Sequence, residues 1–288
     1  MKTTFTPASN GRLSEYLDRA AAVILPSFAP KAAAFAPGAP GELRVGVDLG
    51  TAYLMLVVLD ADGQPLAGEW QPAQVSRDGL VVDFIGAVDR LRGMKQRVEE
   101  RLNRLLTHAA SGYPPGVPLA EVRATANVVE AAGMTCTGLV DEPSAANNLL
   151  GLHSGAIIDV GGGTTGIAVL QDGEVVYTAD EATGGTHFSL VIAGALDIDL
   201  EQAETLKTTP AEQPRLFPTV RPVMEKVASI AMRHLRGYRI PEILLVGGSA
   251  AFPGMAEVIQ QTTGIPTRTP ARPMYITPLG IALHCPAH

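Results

Sequence analysis

The sequence predicts an α/β chain of two similar lobes. Three observations carry this. An apolar strand ending in an Asp and a Gly/Thr turn occurs twice; each copy returns as a second apolar strand into an Asp-Gly hairpin signal; and apolar residues at helical spacing fill the stretches between. The first copy is Leu43-Arg-Val-Gly-Val-Asp48-Leu-Gly50-Thr51-Ala52 with its return strand to Leu59 and the hairpin at Asp62-Gly63. The second is Ala156-Ile-Ile-Asp159-Val-Gly161-Gly162-Gly163-Thr164-Thr165-Gly166 with its return to Leu170 and the hairpin at Asp172-Gly173. Asp48 stands 15 residues before Gly63, and Asp159 stands 14 before Gly173. Such a repeat predicts two lobes whose turns face one another across a shared ligand.

Residues 1–42 stand apart. Leu13, Leu17, Ala20, Ala21 and Ile24 at helical spacing predict an amphipathic helix, and Pro26, Pro30, Pro37 and Pro40 among Ala and Gly predict a semi-stiff linker. Such a stripe is expected to pack on the body and close an edge; docking another protein is the alternative. After the first hairpin, Val88, Leu91, Met94, Val98, Leu102 and Leu105 predict a long helix over about 86–108. Its Arg90, Arg92, Lys95, Arg97, Arg101 and Arg104 read as a solvated face because Asp89, Glu99 and Glu100 interleave them, with a phosphate patch as the alternative. Residues 113–118, with three prolines, predict a loop; 121–126 read as a strand, 128–133 as a short helix and 137–141 as a strand. Asp141-Glu142-Pro143 opens a helix, since Pro tolerates the first turn and acids favour it. Glu142 reads two ways: it caps that helix, or its carboxylate orients a water beside the glycine turns.

The second Gly/Thr turn carries the strongest chemistry. Three consecutive glycines let backbone N–H groups approach a phosphate without Cβ interference, and two hydroxyls stand beside them. A carboxylate such as Asp159 can hold magnesium through water, because that ion keeps most of its hydration shell. Gly161-x-Gly163-x-x-Gly166 also matches a dinucleotide fingerprint, but that fingerprint opens a helix, whereas here the chain continues as a strand; nor does any GxxxxGK[ST] occur. Further on, Gly184-Gly185-Thr186 precedes an apolar helix over 187–196. Asp199 and Gln202 form a capping box for a helix carrying Glu204 and Lys207. Val223, Val227, Ile230, Ala231 and His234 predict another helix. An apolar strand over 242–246 runs into Gly247-Gly248-Ser249, suited to close backbone approach to a flat ring such as a purine, and 275–283 form a closing helix.

Composition bounds the partners. At 288 residues the chain suits two domains with sizeable cores, and a net charge of −7 argues against nucleic acid or an anionic membrane surface. Two cysteines, Cys136 and Cys285, lie far apart without metal spacing and read as packed thiols in a reducing cytosol. The six histidines show no paired metal spacing. No apolar run reaches the ~20 residues of a membrane span, and no export signal is evident, so a cytoplasmic location is expected.

Together these pieces resemble the actin-like ATPase superfamily of actin, sugar kinases, DnaK-type chaperone nucleotide-binding domains and bacterial actin homologues, over about residues 43–283. Asp48-Leu-Gly-Thr looks like the first phosphate loop, Asp141-Glu-Pro-Ser-Ala-Ala the first connecting helix and Asp159-Val-Gly-Gly-Gly-Thr-Thr the second phosphate loop. Leu245-Val-Gly-Gly-Ser is similar to the adenosine motif and Pro278-Leu-Gly-Ile-Ala-Leu to the second connecting helix. Within the superfamily, the stretch Ser76-Arg-Asp-Gly-Leu-Val-Val-Asp-Phe-Ile-Gly-Ala-Val88 and the compact lobes look most like the EutJ-type family of ethanolamine-utilization proteins, chaperone-like components of bacterial microcompartment operons.

The resemblance implies two RNase-H-like lobes around a nucleotide cleft: a helix and linker over 1–42, lobe I over 43–151 plus about 275–288, and lobe II over 152–274. It implies ATP and magnesium as ligands. Gly50, Thr51 and Ala52, with Gly161, Gly162, Gly163, Thr164 and Thr165, would hold the phosphates, and Asp48 and Asp159 the magnesium through water. Glu142 would orient the attacking water, and Gly184 and Gly185 would near the phosphates. Glu204 and Lys207 would touch ribose and adenine, and Gly247, Gly248 and Ser249 would floor the adenine. The function implied is an ATP-binding, slowly hydrolysing switch acting on an ethanolamine-pathway enzyme or shell protein. A nucleotide-dependent scaffold or filament and a small-molecule kinase are the alternatives. Gly166 stands where chaperone relatives often carry an Asp, and Lys95 is a poor match to their phosphate-contacting lysine, so binding is better supported than hydrolysis. No peptide-binding sheet domain follows the nucleotide-binding body, and client capture of that kind is not expected.

Overall fold

The structure, a computed structural model, describes residues 10–28, 41–77 and 80–288. The chain forms two compact units, one of residues 1–151 and 275–288 and the other of residues 152–274. The first holds α1 (Asn10–Val23), β1 (Ile24–Pro26), β2 (Leu43–Leu49), β3 (Tyr53–Asp60), β4 (Pro65–Pro72), a short ribbon of β5 (Ser76–Arg77) and β6 (Leu80–Val81), α2 (Phe84–Leu102), β7 (His108–Tyr113), α3 (Leu119–Ala131), β8 (Thr135–Asp141) and α4 (Glu142–Leu150). The second holds β9 (Gly155–Val160), β10 (Thr165–Gln171), β11 (Glu174–Glu181), α5 (Gly185–Leu196), α6 (Leu200–Thr208), α7 (Gln213–Leu235), β12 (Ile243–Val246), α8 (Met255–Thr263) and β13 (Thr267–Arg268). A last helix, α9 (Ile276–His284), returns to the first unit.

Both sheets follow one plan. The order is β1-β4-β3-β2-β7-β8 in the first and β11-β10-β9-β12-β13 in the second. Apart from β1, each sheet is an antiparallel meander of three strands continued by two parallel ones on the far side of its first strand. The α/β class and the repeated hairpins read from the sequence are therefore present. The Asp-Gly turn between β10 and β11 places Asp172 at φ 52° and Gly173 at φ 85°, the left-handed pair a tight hairpin needs.

Two local expectations are corrected, and one strand was not anticipated. Residues 121–126, read as a strand, are the first half of α3, because packing of Val122, Val128 and Val129 on one helical face overrides the local β-propensity. The strand in this region is instead β7, whose sequence His-Ala-Ala-Ser-Gly-Tyr carries no β-branched residue. The long helix ends at Leu102 rather than 108, where Asn103 takes a left-handed cap and leaves Leu105 exposed.

The N-terminal stripe packs within the first unit. Tyr16, Leu17 and Ala20 of α1 are buried, and the Tyr16 hydroxyl donates to Gly63 O at 2.7 Å, while burial pushes that phenol well above its usual range. β1 then lies parallel against β4, with Ile24 beside Gly68 and Pro26 beside Trp70. Arg101 of α2 ties this arrangement together, donating to Val23 O at 2.7 Å and Gly68 O at 2.8 Å. Arg97 pairs with the buried Glu69, Arg92 with Asp89 and Lys95 with Glu99. Several of the cations on α2 are thus ties to carboxylates and carbonyls rather than a phosphate patch. The expected linker through Pro30, Pro37 and Pro40 lies outside the described residues.

α4 packs directly on α9 at a point that admits no side chain. A Cβ on Gly280 would stand 1.8 Å from Ala145 O, and one on Gly46 of β2 would stand 2.5 Å from Ala282 N. Gly280→Ala is expected to cost about 1–3 kcal/mol or more, since backbone cannot yield as a side-chain tip does. Leu17→Ala, at a fully buried position, is expected to cost about 2–5 kcal/mol. Urea unfolding followed by circular dichroism checks both.

Candidate functional site

The residues singled out in the sequence fall into two groups, one per unit, each at the carboxyl ends of parallel strands, where open α/β sheets bind ligands. In the second unit β9 and β12 run parallel with Asp159 beside Val246, so the turn after Asp159 and the turn after Val246 leave the sheet side by side. Asp159 is 7% exposed. Gly247, at φ 88°, approaches so closely that a Cβ there would stand 2.2 Å from Asp159 Oδ1. Any side chain at 247 would therefore push on the carboxylate, quite apart from the backbone strain.

The glycine turn is held from one side. Gly161 N donates to Thr164 O at 3.0 Å, closing it. Gly161 O accepts from Gly185 N at 2.9 Å and from Ser249 Oγ at 2.8 Å; Gly162 O accepts from Thr186 N at 2.7 Å and Thr186 Oγ1 at 2.9 Å. In a trans peptide the C=O of one residue and the N–H of the next point in opposite directions. With the carbonyls of Gly161 and Gly162 turned onto the start of α5, the N–H groups of Gly162 and Gly163 point the other way. Two successive N–H groups so directed form an anion-accepting concavity. Thr164 and Thr165 follow it, both buried, and Thr165 Oγ1 donates to Thr183 O at 2.5 Å.

Close packing at Gly184 and Gly185 makes this possible. A Cβ on Gly184 would stand 2.8 Å from Gly161 O and 2.9 Å from Gly162 O, and one on Gly185 would stand 2.2 Å from Ser249 Oγ. Lys207 of α6 donates to Gly185 O at 3.1 Å and to Glu204 Oε2 at 2.6 Å, and Ser189 Oγ donates to the same Glu204 oxygen at 2.6 Å. The glycine turns, Ser249, Glu204 and Lys207, spread over 89 positions from 161 to 249, are thus one hydrogen-bonded cluster. Sequence reasoning did not single out Thr186 and Ser189 for this cluster. The first lay within the recognised Gly/Thr turn, and the second sits one helical turn beyond Gly185, a spacing that α5 alone makes meaningful.

In the first unit, β2, β7 and β8 run parallel and present Asp48, Gly112 and Glu142 at one end. Gly50 makes the tight turn after Asp48, since a Cβ there would stand 2.8 Å from Tyr53 O. Ala52 O accepts from Ala73 N at 3.0 Å, anchoring the turn containing Thr51. Glu142 is not the cap of its helix. Asp141 caps α4, its Oδ1 accepting from Ser144 N at 3.0 Å, and Pro143 follows inside the first turn. The capping reading of Glu142 is thereby removed; its half-buried side chain lies over Gly112, where an added Cβ would stand 3.7 Å from Glu142 Cγ.

Among the described residues no group of three or more His, Cys, Asp or Glu side chains could enclose a metal ion, and no helix is long and apolar enough to cross a membrane. Cys285 is buried and its Sγ lies 3.3 Å from Thr137 Oγ1; burial raises the Cys136 thiol above its usual range, so both behave as packed thiols.

Comparisons with known proteins agree with this architecture. Residues 141–276 match the type IV pilus assembly protein PilM family and residues 71–197 the MreB/Mbl protein family. The structure of MreB 5 of Spiroplasma citri bound to AMPPNP has a TM-score of 0.69 at 16% identity, covering 84% of this chain and 95% of that one, a likeness of fold. The ethanolamine utilization protein EutJ of Carboxydothermus hydrogenoformans, known from a crystal structure, has a TM-score of 0.85 at 40% identity, covering 95% of this chain and 98% of that one. The EutJ protein of Escherichia coli (strain K12) is 44% identical over 241 residues, 83% of this chain and 85% of that protein. On this extent of identity across both units, the chain belongs to the EutJ family of ethanolamine utilization proteins, within the actin-like ATPase superfamily.

Proposed function

We propose that the chain is an ATP-binding, slowly ATP-hydrolysing, chaperone-like switch of ethanolamine utilization. On this reading it works in the cytoplasm in association with a bacterial microcompartment, and it remodels or helps assemble a pathway enzyme or shell component. The observation that carries the nucleotide part is the anchored glycine turn, whose outward N–H groups of Gly162 and Gly163 suit phosphoryl oxygens.

The residues present fit ATP and magnesium. The turns at Gly50–Ala52 and Gly161–Thr165 offer backbone donors and the Thr51 and Thr164 hydroxyls to phosphates, the Thr165 hydroxyl being donated to Thr183 O, and Gly184 and Gly185 let α5 hold the second turn from its carbonyl side. Asp48 and Asp159 would hold the ion through water, in keeping with carboxylates that are not clustered into a protein cage. When bound, magnesium supplies neutralisation of the charge that phosphoryl transfer redistributes over oxygen. Glu142, freed from capping by Asp141, would orient the attacking water. Lys207 and Glu204 would face ribose and adenine while keeping the start of α5 in place, and Gly247, Gly248 and Ser249 would floor the base.

Titration calorimetry with ATP–Mg²⁺ tests the reading. Wild type is expected to give saturable heat and Asp159→Asn to bind about tenfold or more weakly, a difference that chelation of magnesium removes; equal heats in both, or none, overturn it. Glu142→Gln is expected to keep ATP affinity and to slow phosphate release by a factor on the order of 100. Unchanged turnover in that variant removes the role of Glu142. Light scattering with ATP is expected to remain that of a small discrete species; growth into polymers favours the scaffold reading instead.

A further inference from the structure

Each of the two carbonyls that turn the glycine segment toward α5 accepts twice, once from a backbone N–H and once from a side-chain hydroxyl. Gly161 O takes Gly185 N at 2.9 Å and Ser249 Oγ at 2.8 Å. Gly162 O takes Thr186 N at 2.7 Å and Thr186 Oγ1 at 2.9 Å. A carbonyl oxygen has two lone pairs, so both oxygens are fully used. The hydroxyls come from different elements, Thr186 from the first turn of α5 and Ser249 from the turn after β12, 88 positions along the chain from Gly161. Room for the Ser249 hydroxyl exists because residue 185 is glycine: a Cβ there would stand 2.2 Å from Ser249 Oγ.

A peptide plane is rigid, so a bond that fixes its carbonyl also fixes its N–H. The carbonyl of Gly161 shares a plane with the N–H of Gly162, and the carbonyl of Gly162 shares one with the N–H of Gly163. Ser249 therefore acts on the Gly162 donor and Thr186 on the Gly163 donor, one hydroxyl to each plane. A hydrogen bond accepted by the carbonyl also polarises the peptide and makes its N–H a stronger donor. The Ser249 proton is thereby spent on the turn rather than offered to a base.

We propose that Ser249 and Thr186 are positioning residues of the phosphate site. Each hydroxyl aims and strengthens one of the two turn N–H groups, and so sets the affinity for the polyphosphate portion of the ligand without touching it. This rests on the nucleotide-binding reading and assigns a phosphate role to a side chain of the loop expected to floor the base. Neither hydroxyl is needed to keep α5 in place. Gly185 O accepts from Lys207 Nζ at 3.1 Å and from Ser189 Oγ at 3.3 Å, and the bonds from Gly185 N and Thr186 N remain when the hydroxyls are removed. Thr186→Val keeps the branched shape of the side chain, and Ser249→Ala removes a single oxygen, so both variants are expected to fold.

Two measurements on the full chain test the proposal. Without ligand, amide correlation spectra by NMR are expected to show Ser249→Ala displacing chiefly the Gly162 resonance and Thr186→Val chiefly that of Gly163. With ligand, titration calorimetry compares ATP–Mg²⁺, inorganic tripolyphosphate with Mg²⁺, and adenosine. Each variant is expected to bind ATP and tripolyphosphate about three- to tenfold more weakly than wild type and to bind adenosine as wild type does. A variant that loses adenosine affinity as much as ATP affinity overturns the proposal, since its hydroxyl then serves the base or the fold at large. Unchanged tripolyphosphate affinity, or equal displacement of both amides by either variant, overturns it too. Should Ser249→Ala fail to fold, Thr186→Val decides by the same criteria. Failure of the wild type to bind ATP and tripolyphosphate overturns the nucleotide reading and this proposal with it, whereas wild-type binding that both variants retain in full overturns the proposal alone.

Discussion

Much of the second unit follows from where two carbonyl oxygens go. Gly161 O and Gly162 O each accept from the start of α5, with Ser249 and the Thr186 hydroxyl completing them. Leaving such groups unpaired in a tight backbone contact would cost about 1–3 kcal/mol apiece. Pairing them orients the peptide planes and so decides the direction of the N–H groups on their far side. The contact requires glycine at 184 and 185, because a Cβ at either would enter the turn or the Ser249 hydroxyl. Lys207 and Ser189 then steady the same start of α5 through Gly185 O and Glu204. Gly184 and Gly185 therefore serve packing on the carbonyl side of the turn, and that packing sets the direction of the donors on its other side.

Duplication of one folding plan explains the distribution of the candidate residues. Each sheet delivers an acidic residue at the end of its first strand and a turn immediately after, so the likeness of Asp48 to Asp159 follows from topology as much as from chemistry. The copies differ in how they treat the edge beyond the third strand. In the first unit α1 and β1 cover it, with Arg101 tying helix, strand and sheet together. In the second, the edge strand is acidic and bulged, both familiar means of discouraging indiscriminate strand pairing.

The candidate site was largely legible in the sequence because its chemistry depends on backbone, and glycine announces backbone approach. The turns at 161–165, 184–185 and 247–249 were visible as glycine clusters at strand or helix ends, and that at 50–52 as a single glycine after the first Asp. Their convergence within the second unit was not visible, since it depends on β12 lying next to β9 across more than 80 intervening residues. Nor was the cap of α4: Asp141 and Glu142 are adjacent acids before Pro143, and only the backbone angles show that the first is the cap, leaving the second for other work. The arginines of α2 show the same limit. Interleaved acids on one helix suggest a solvated face, yet Arg97 and Arg101 reach the buried Glu69 and the carbonyls of Val23 and Gly68, partners 28 to 78 positions away.

By itself the sequence determined the α/β class, the duplicated hairpins, the family and the identity of the glycine turns, because strand periodicity, hairpin signals and glycine spacing are local properties. Tertiary structure alone decided three things: that 121–126 join a helix while a weakly β-forming segment becomes the interior strand β7; that α5 holds the glycine turn by its carbonyls; and that β1 lies against β4 of the first sheet. Each of these depends on burial and pairing between residues distant in the chain. There the free energy of packing outweighs local propensity, which is why no local pattern announces them.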